Sequence, residues 1–248
     1  MNRYLLALLA LCSSGLVLAA TAEVQPHAPG IESADYIWNE MDSEKLLALR
    51  AKVNLGNGKV AFEVCQGCHR ANALGREDGS YPRLAAQHDT VLIKQMSDIR
   101  AGRRDNPKMY PFVNEHVIEA QEIADIAGYL QSLPSPASNG KGPGADLETG
   151  KTIYEKRCVS CHEKNGSGSA EKLYPRVNGQ HFAYLLRQNI DIRDGVRRNS
   201  NPKMVRVIRQ YSDEELKAVA DYMSRLPPPT VATAPAATKM QKAPAGAR

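Results

Sequence analysis

Apolar positions along this chain fall into short helical stripes separated by polar loops rich in glycine and proline. The single long apolar run, Leu5 to Leu18, follows Arg3 and leads to Ala20-Thr21-Ala22. It is too short to span a bilayer and reads as an export signal, cleaved to leave Glu23 first. Asp42 is placed to cap a helix over Ser43–Val53, with Leu46, Leu49 and Val53 on one face. A short helix over Lys59–Cys65 has a partner over Lys151–Cys158. A longer one from Asp89 to Gly102 carries Leu92, Met96 and Ile99 at helical spacing, and Phe182 to Gly195 repeats it with Leu185, Asn189 and Ile192. The last pair, Glu119–Leu133 and Glu214–Leu226, is stopped by Pro134 and Pro227, and Ser212 with Glu215 forms a capping box. The expected fold class is all-α.

The pairing of these helices reflects an internal duplication. A shift of 93 residues aligns Cys65–Arg100 with Cys158–Arg193, with 15 identities in 36 positions. Tyr81-Pro82-Arg83 meets Tyr174-Pro175-Arg176, and Gln87-His88 meets Gln180-His181. Beyond a two-residue insertion, Asn106-Pro107-Lys108-Met109 meets Asn201-Pro202-Lys203-Met204. The chain therefore divides into a signal (1–22), an N-terminal extension (23–55), a first domain (56–134), a Pro/Gly/Ser-rich linker (135–147), a second domain (148–227) and a basic tail (228–248). The tail is rich in Pro, Ala and Thr and is expected to be disordered. The extension suggests packing and nothing more specific.

Charge adds one exclusion. Of the net +5, the signal supplies one positive charge through Arg3 and the tail three through Lys239, Lys242 and Arg248, which leaves the body at +1. No nucleic-acid surface is expected there, and no later run is apolar enough to cross a membrane, so with the export signal the mature chain is expected to be soluble and outside the cytoplasm. Aromatic residues are only 6% of the chain, too few to fill two cores near eighty residues each. A cofactor with apolar bulk of its own would fill that gap.

The cysteines name such a cofactor. Without Cys12 in the signal, four remain as two C-x-x-C pairs, each followed at once by histidine: Cys65, Cys68, His69 and Cys158, Cys161, His162. Two thiols three positions apart on a helical turn reach both vinyl groups of one porphyrin edge, and the adjacent histidine falls beneath the iron. Two covalently bound haem c groups are expected. A four-thiolate zinc site or a redox dithiol would not explain the histidines. The sixth ligand should recur in both copies, and Met109 and Met204 do, 40 and 42 residues after the histidines. A thioether favours ferrous iron and raises the reduction potential. His88 and His181 recur too and are the rival ligands. A ligand histidine gives its second N–H to an acceptor, for which the carbonyls of Pro82 and Pro175 are candidates. Arg83 and Arg176 are candidates to meet haem propionates.

The run from Cys-His through Tyr-Pro-Arg and Gln-His, the Asn-Pro-Lys-Met loop and a final helix closing on Leu-Pro resemble class I cytochromes c, and their tandem duplication in an exported chain resembles the dihaem cytochrome c4 family. The resemblance covers Gly56–Pro227. It implies two tandem class I domains about a pseudo-two-fold axis, and a periplasmic carrier of electrons toward a terminal oxidase or reductase. A quinol-oxidising complex or a dehydrogenase would be the donor. A dihaem peroxidase-like enzyme and a haem subunit of a dehydrogenase complex are the competing expectations. Equal motifs in both copies argue against a peroxidase, which needs unlike haems.

Overall fold

The computed structural model describes residues 38, 39 and 41–229. The export signal, the extension before Trp38 and the tail beyond Pro229 lie outside the described residues. Helix α1 (Ser43–Arg50) precedes domain 1, in which α2 (Leu55–Ala61) runs through a 3₁₀ turn into α3 (Gln66–His69), followed by α4 (Asp89–Arg100), α5 (Tyr110–Val113) and α6 (Ala120–Ser132). Domain 2 repeats the order with α7 (Leu147–Ile153), α8 (Val159–His162), α9 (Phe182–Arg193), α10 (Pro202–Ile208) and α11 (Asp213–Ser224). Among the described residues the only β pairing is an isolated bridge between Ser169 and Tyr174.

In each domain the first helix crosses the last at a glycine. A Cβ on Gly58 would stand 2.0 Å from the Asp125 carbonyl oxygen, and one on Gly150 would stand 2.1 Å from that of Ala218. Only glycine permits such crossings. Seven residues separate Gly58 from Cys65 but eight separate Gly150 from Cys158. The tighter 3₁₀ turn Phe62–Cys65 and the wider π turn Tyr154–Cys158 absorb the difference, so both cysteine pairs leave the crossing in the same sense. Phe62, Ile99, Ile123, Ile126 and Leu130 fill the first core; Tyr154, Ile208, Leu216 and Val219 fill the second. The Ser212–Glu215 capping box forms, and Glu119 with Glu122 forms another at α6.

Helix α1 differs from expectation. It ends at Arg50, and its buried face is Lys45 and Ala48; Leu46 and Leu49 are half-buried and Val53 is exposed. Asp42 does cap it, accepting from the Lys45 N–H at 2.7 Å. The reason for the rotation is Asp98 on α4, itself buried. Lys45 Nζ donates to Asp98 at 2.7 Å, Lys94 donates to its other oxygen, and Arg103 spans Asp98 (3.1 Å) and Asp42 (2.5 Å). Burial alone would raise the Asp98 pKa, but Lys94 and Lys45 outweigh it and hold the carboxyl ionised. Burial pushes Lys94 down to about 8 despite that partner.

The segment joining the domains is packed, not slack. Asn139 is buried and donates to the carbonyls of Gln180 (2.9 Å) and Ser224 (2.8 Å), and the Gly144 N–H donates to Asp221 at 2.5 Å. Among the described residues no helix is long and apolar enough to cross a membrane.

Candidate haem-binding sites

In each domain the turn after the glycine crossing ends on the first cysteine, and the short helix that follows carries the second cysteine and the histidine. His69 and His162 are buried. The Nδ1 of His69 lies 3.3 Å from the Pro82 carbonyl and that of His162 lies 3.0 Å from the Pro175 carbonyl. The intervening loop is wound tightly. Gly75 N–H donates back to the His69 carbonyl at 3.1 Å and Gly168 N–H to that of His162 at 3.0 Å. Both glycines have positive φ, +69° and +65°, and a Cβ there would fall 2.4 Å from the Pro82 oxygen and 2.5 Å from the Pro175 oxygen. Glycine is dictated at both positions by the carbonyl that receives the ring. With the Nδ1 proton on that carbonyl, Nε2 carries the free lone pair, and no hydrogen bond occupies it among the described residues. Burial lowers both imidazole pKa values and the carbonyls oppose this; the net direction favours the neutral form that ligates metal.

The thiols behave unlike a redox pair. Burial, then the neighbouring thiol, pushes Cys65 up to about 11 and Cys158 up to about 12. Reactive C-x-x-C dithiols have depressed values. Among the described residues no group of three or more His, Cys, Asp or Glu converges as it would around a shared zinc ion.

Met109 and Met204 are half-buried, each packed against its own domain's core. Met109 closes a turn whose amide donates to the Asn106 carbonyl at 3.0 Å, immediately before α5. Met204 lies inside α10, where the Asn201 side chain accepts from Lys203 N–H at 2.8 Å and Pro202 occupies the first turn. The expected loop is thus a helix in domain 2. The unrepeated Met96 and Met223 lie in the cores.

His88 and His181 are held elsewhere. Each starts a helix and reaches across the domain boundary: His88 Nε2 lies 2.7 Å from the Ser167 carbonyl, and His181 Nε2 lies 2.7 Å from the Leu74 carbonyl. These acceptors are themselves 93 residues apart. The Nδ1 of His181 also accepts from Gly140 N–H at 3.1 Å. Both ring nitrogens of His181 are therefore in use. Repetition of a histidine marks an interface related by pseudo-two-fold symmetry as readily as it marks a ligand.

Arg83 and Arg176 meet across the same boundary and line one cavity together with Gln87, Asn178 and Gln180. Arg83 gives its terminal nitrogens to Ser135 Oγ (3.0 Å) and to the carbonyls of Pro136 (2.8 Å) and Ser138 (2.6 Å). In both arginines Nε is buried and has no partner. An N–H pair left unmet at symmetric places is what two porphyrin carboxylates would satisfy. The thiol pairs, the free Nε2 positions and these orphaned donors fit haem in each domain.

A family model for cytochrome c matches residues 55–134 and again 147–227. The cytochrome c4 of Azotobacter vinelandii is 31% identical over 190 residues, an alignment covering 69% of this chain and 87% of the relative. This chain belongs to the cytochrome c4 family. It is a dihaem electron carrier, with two covalently bound haem c groups on its paired cysteines. A second relative, named a thiosulfate dehydrogenase electron acceptor in Stutzerimonas stutzeri, is 32% identical over 182 residues, covering 69% of this chain and 82% of its own length. Among solved structures, reduced cytochrome c4 from Pseudomonas stutzeri superposes with a TM-score of 0.64 at 27% identity, over 71% of this chain and all of that one. Helix α1, whose Lys45 pairs with Asp98, precedes residue 55, the first matched by the cytochrome c model.

Proposed function

We propose that this chain is an exported periplasmic shuttle with no substrate chemistry, in which His69 with Met109 and His162 with Met204 would hold the two haem irons. Bound haem supplies one-electron exchange. The chain's own residues would do the rest: the Pro82 and Pro175 carbonyls fix the histidine rings, the methionines would supply the second iron ligand, and Arg83 and Arg176 would offer their unpartnered Nε donors to the haem carboxylates. The observation that carries this reading is the equivalence of the two sites. Each histidine has a proline carbonyl 13 residues on as its acceptor and a glycine packed against that carbonyl, which supports like haems in the two domains.

The partners are redox proteins: a dehydrogenase or quinol-oxidising complex as donor, and a terminal oxidase or reductase as acceptor. The relative named as an electron acceptor for thiosulfate dehydrogenase supports a dehydrogenase on the donor side. The proposed domain limits are 56–134 and 148–227, joined by the 135–147 segment. A spectroelectrochemical titration tests the proposal. Two reversible one-electron waves with low-spin spectra in both oxidation states are expected. A high-spin haem in the untreated protein would refute the axial assignment.

A further inference from the structure

The Gln-His pairs do more than hold the domains together, because of where they grip. Gln180 Oε1 accepts from Arg83 N–H at 2.9 Å and its Nε2 donates to the Arg83 carbonyl at 2.9 Å. Arg83 directly follows Pro82, whose carbonyl receives the His69 ring. His181 Nε2 donates to the Leu74 carbonyl, and Leu74 directly precedes Gly75, whose N–H donates to the His69 carbonyl. One dipeptide of domain 2 therefore pins both chain segments that embrace the proximal histidine of domain 1. The reverse grip is present in full. Gln87 Oε1 accepts from Arg176 N–H at 2.9 Å, its Nε2 donates to the Arg176 carbonyl at 3.0 Å, and His88 holds Ser167 next to Gly168. Each glutamine oxygen also accepts its own following amide, from His88 at 3.0 Å and from His181 at 3.0 Å, which fixes the side chain before it reaches across. Gln180, His181 and His88 are buried and Gln87 is half-buried, which limits competition from water.

We infer that Gln180 and His181 are positioning residues for the haem of domain 1, and Gln87 and His88 for the haem of domain 2: each iron's proximal histidine is set by the other domain. The inference rests on the proposed histidine ligation. A carbonyl held firmly against Nδ1–H makes the imidazole a stronger donor and favours ferric iron. Releasing Arg83 loosens Pro82, weakens that bond and favours ferrous iron at haem 1, while haem 2 keeps its own acceptor. The interface would then transmit changes in domain packing to both reduction potentials.

The test is a cross-effect. The double variant Gln180→Ala/His181→Ala should shift the reduction equilibrium of haem 1 about ten-fold toward ferrous, about 59 mV for a one-electron couple, with haem 2 unchanged. Gln87→Ala/His88→Ala should do the reverse. Haem-methyl proton resonances assign each wave, and the iron–histidine stretch in resonance Raman spectra reports the same bond without reference to electron transfer. Gln180→Glu keeps the acceptor for Arg83 N–H and should recover part of the shift. If each variant moved the haem of its own domain, or neither haem while both stayed low-spin, the inference would fall. Hydrogen exchange on the unmodified protein guards against variants that do not accumulate. Arg83 and Arg176 amides should exchange only with domain opening; rapid exchange of either would overturn the clamp. Two reversible waves in every variant leave the carrier reading intact whatever the cross-effect.

Discussion

Helices α4 and α9 occupy the same place in the two domains, yet they have parted on one face and not on the other. Toward the ligand loops they match: His88 and His181 open them and grip the opposite domain with equal 2.7 Å bonds. Away from the loops they diverge. On α4, Asp98 is buried between Lys45 of α1 and Lys94, and Asn199 of domain 2 bonds both Lys94 (3.0 Å) and Asp98 (2.8 Å); at the matching positions of α9, Arg187 is exposed over the Tyr184 ring and Asp191 is half-buried, accepting from Gln188 at 3.0 Å. Arg100 donates to the carbonyls of Val113 (2.5 Å) and Ile118 (2.6 Å) and pairs with Glu44 of α1, whereas Arg193 keeps only the second of those carbonyl contacts, to the matching Tyr211 at 3.3 Å, and pairs with Asp194 and Asp213. The side that positions a ligand is constrained by chemistry common to both copies. The other side answers to its neighbours, and on α4 these are Lys45 of α1 and Asn199 of domain 2.

The largest expected effect of that difference is on stability. Asp98→Ala leaves Lys45 and Lys94 buried without their anion, a loss of about 3–5 kcal/mol, while Asp191→Ala costs about 0.5 kcal/mol or less. Thermal unfolding of the two variants measures the gap, and equal falls in melting temperature would erase the distinction drawn between the outer faces. Next come the methionines, where the domains should respond alike. Met109→Ala and Met204→Ala should each lower one haem's potential by more than about 59 mV and open that iron alone to added ligands, read by redox titration with imidazole. If His88→Ala and His181→Ala opened the irons instead, the axial assignment would move to them.

A smaller effect should come from pH. Burial lowers the pKa of both His88 and His181 below 6.5, against the opposing pull of their carbonyl partners. The unfolded chain then binds more protons than the folded one as pH falls below about 6.5, so stability declines on acidification. Melting temperatures from pH 7.5 to 5 should show this decline, and His181→Gln should flatten it; an unchanged slope would place the titration elsewhere. Smallest of all, removal of residues 230–248 should leave the melting temperature and both haems as they were, because that composition has no apolar periodicity to bury.

Much of this architecture is legible in the sequence, because duplication writes each constraint twice. The repeated Cys-x-x-Cys-His runs locate the haems, and the stripes on α4, α6, α9 and α11 give helices within a few residues of those found. What repetition cannot do is say why a residue recurs. His88 recurs beside a domain boundary that no local pattern marks, and the same holds for Gln87. Lys45 escapes for a different reason. A lysine on a short amphipathic helix reads as solvent-facing, and only the tertiary placement of Asp98 makes its burial favourable. The linker's composition suggests slack chain, but Asn139 and Gly140 are fixed by partners 41 residues away.

Carbon monoxide bears most directly on whether this is a carrier. It binds ferrous haem only where the sixth position is open or easily vacated. With Met109 and Met204 in place, the dithionite-reduced native protein should show no change in its Soret band at either haem when carbon monoxide is admitted. Rapid, stoichiometric binding at one haem of the untreated protein would contradict the account and point to an enzyme.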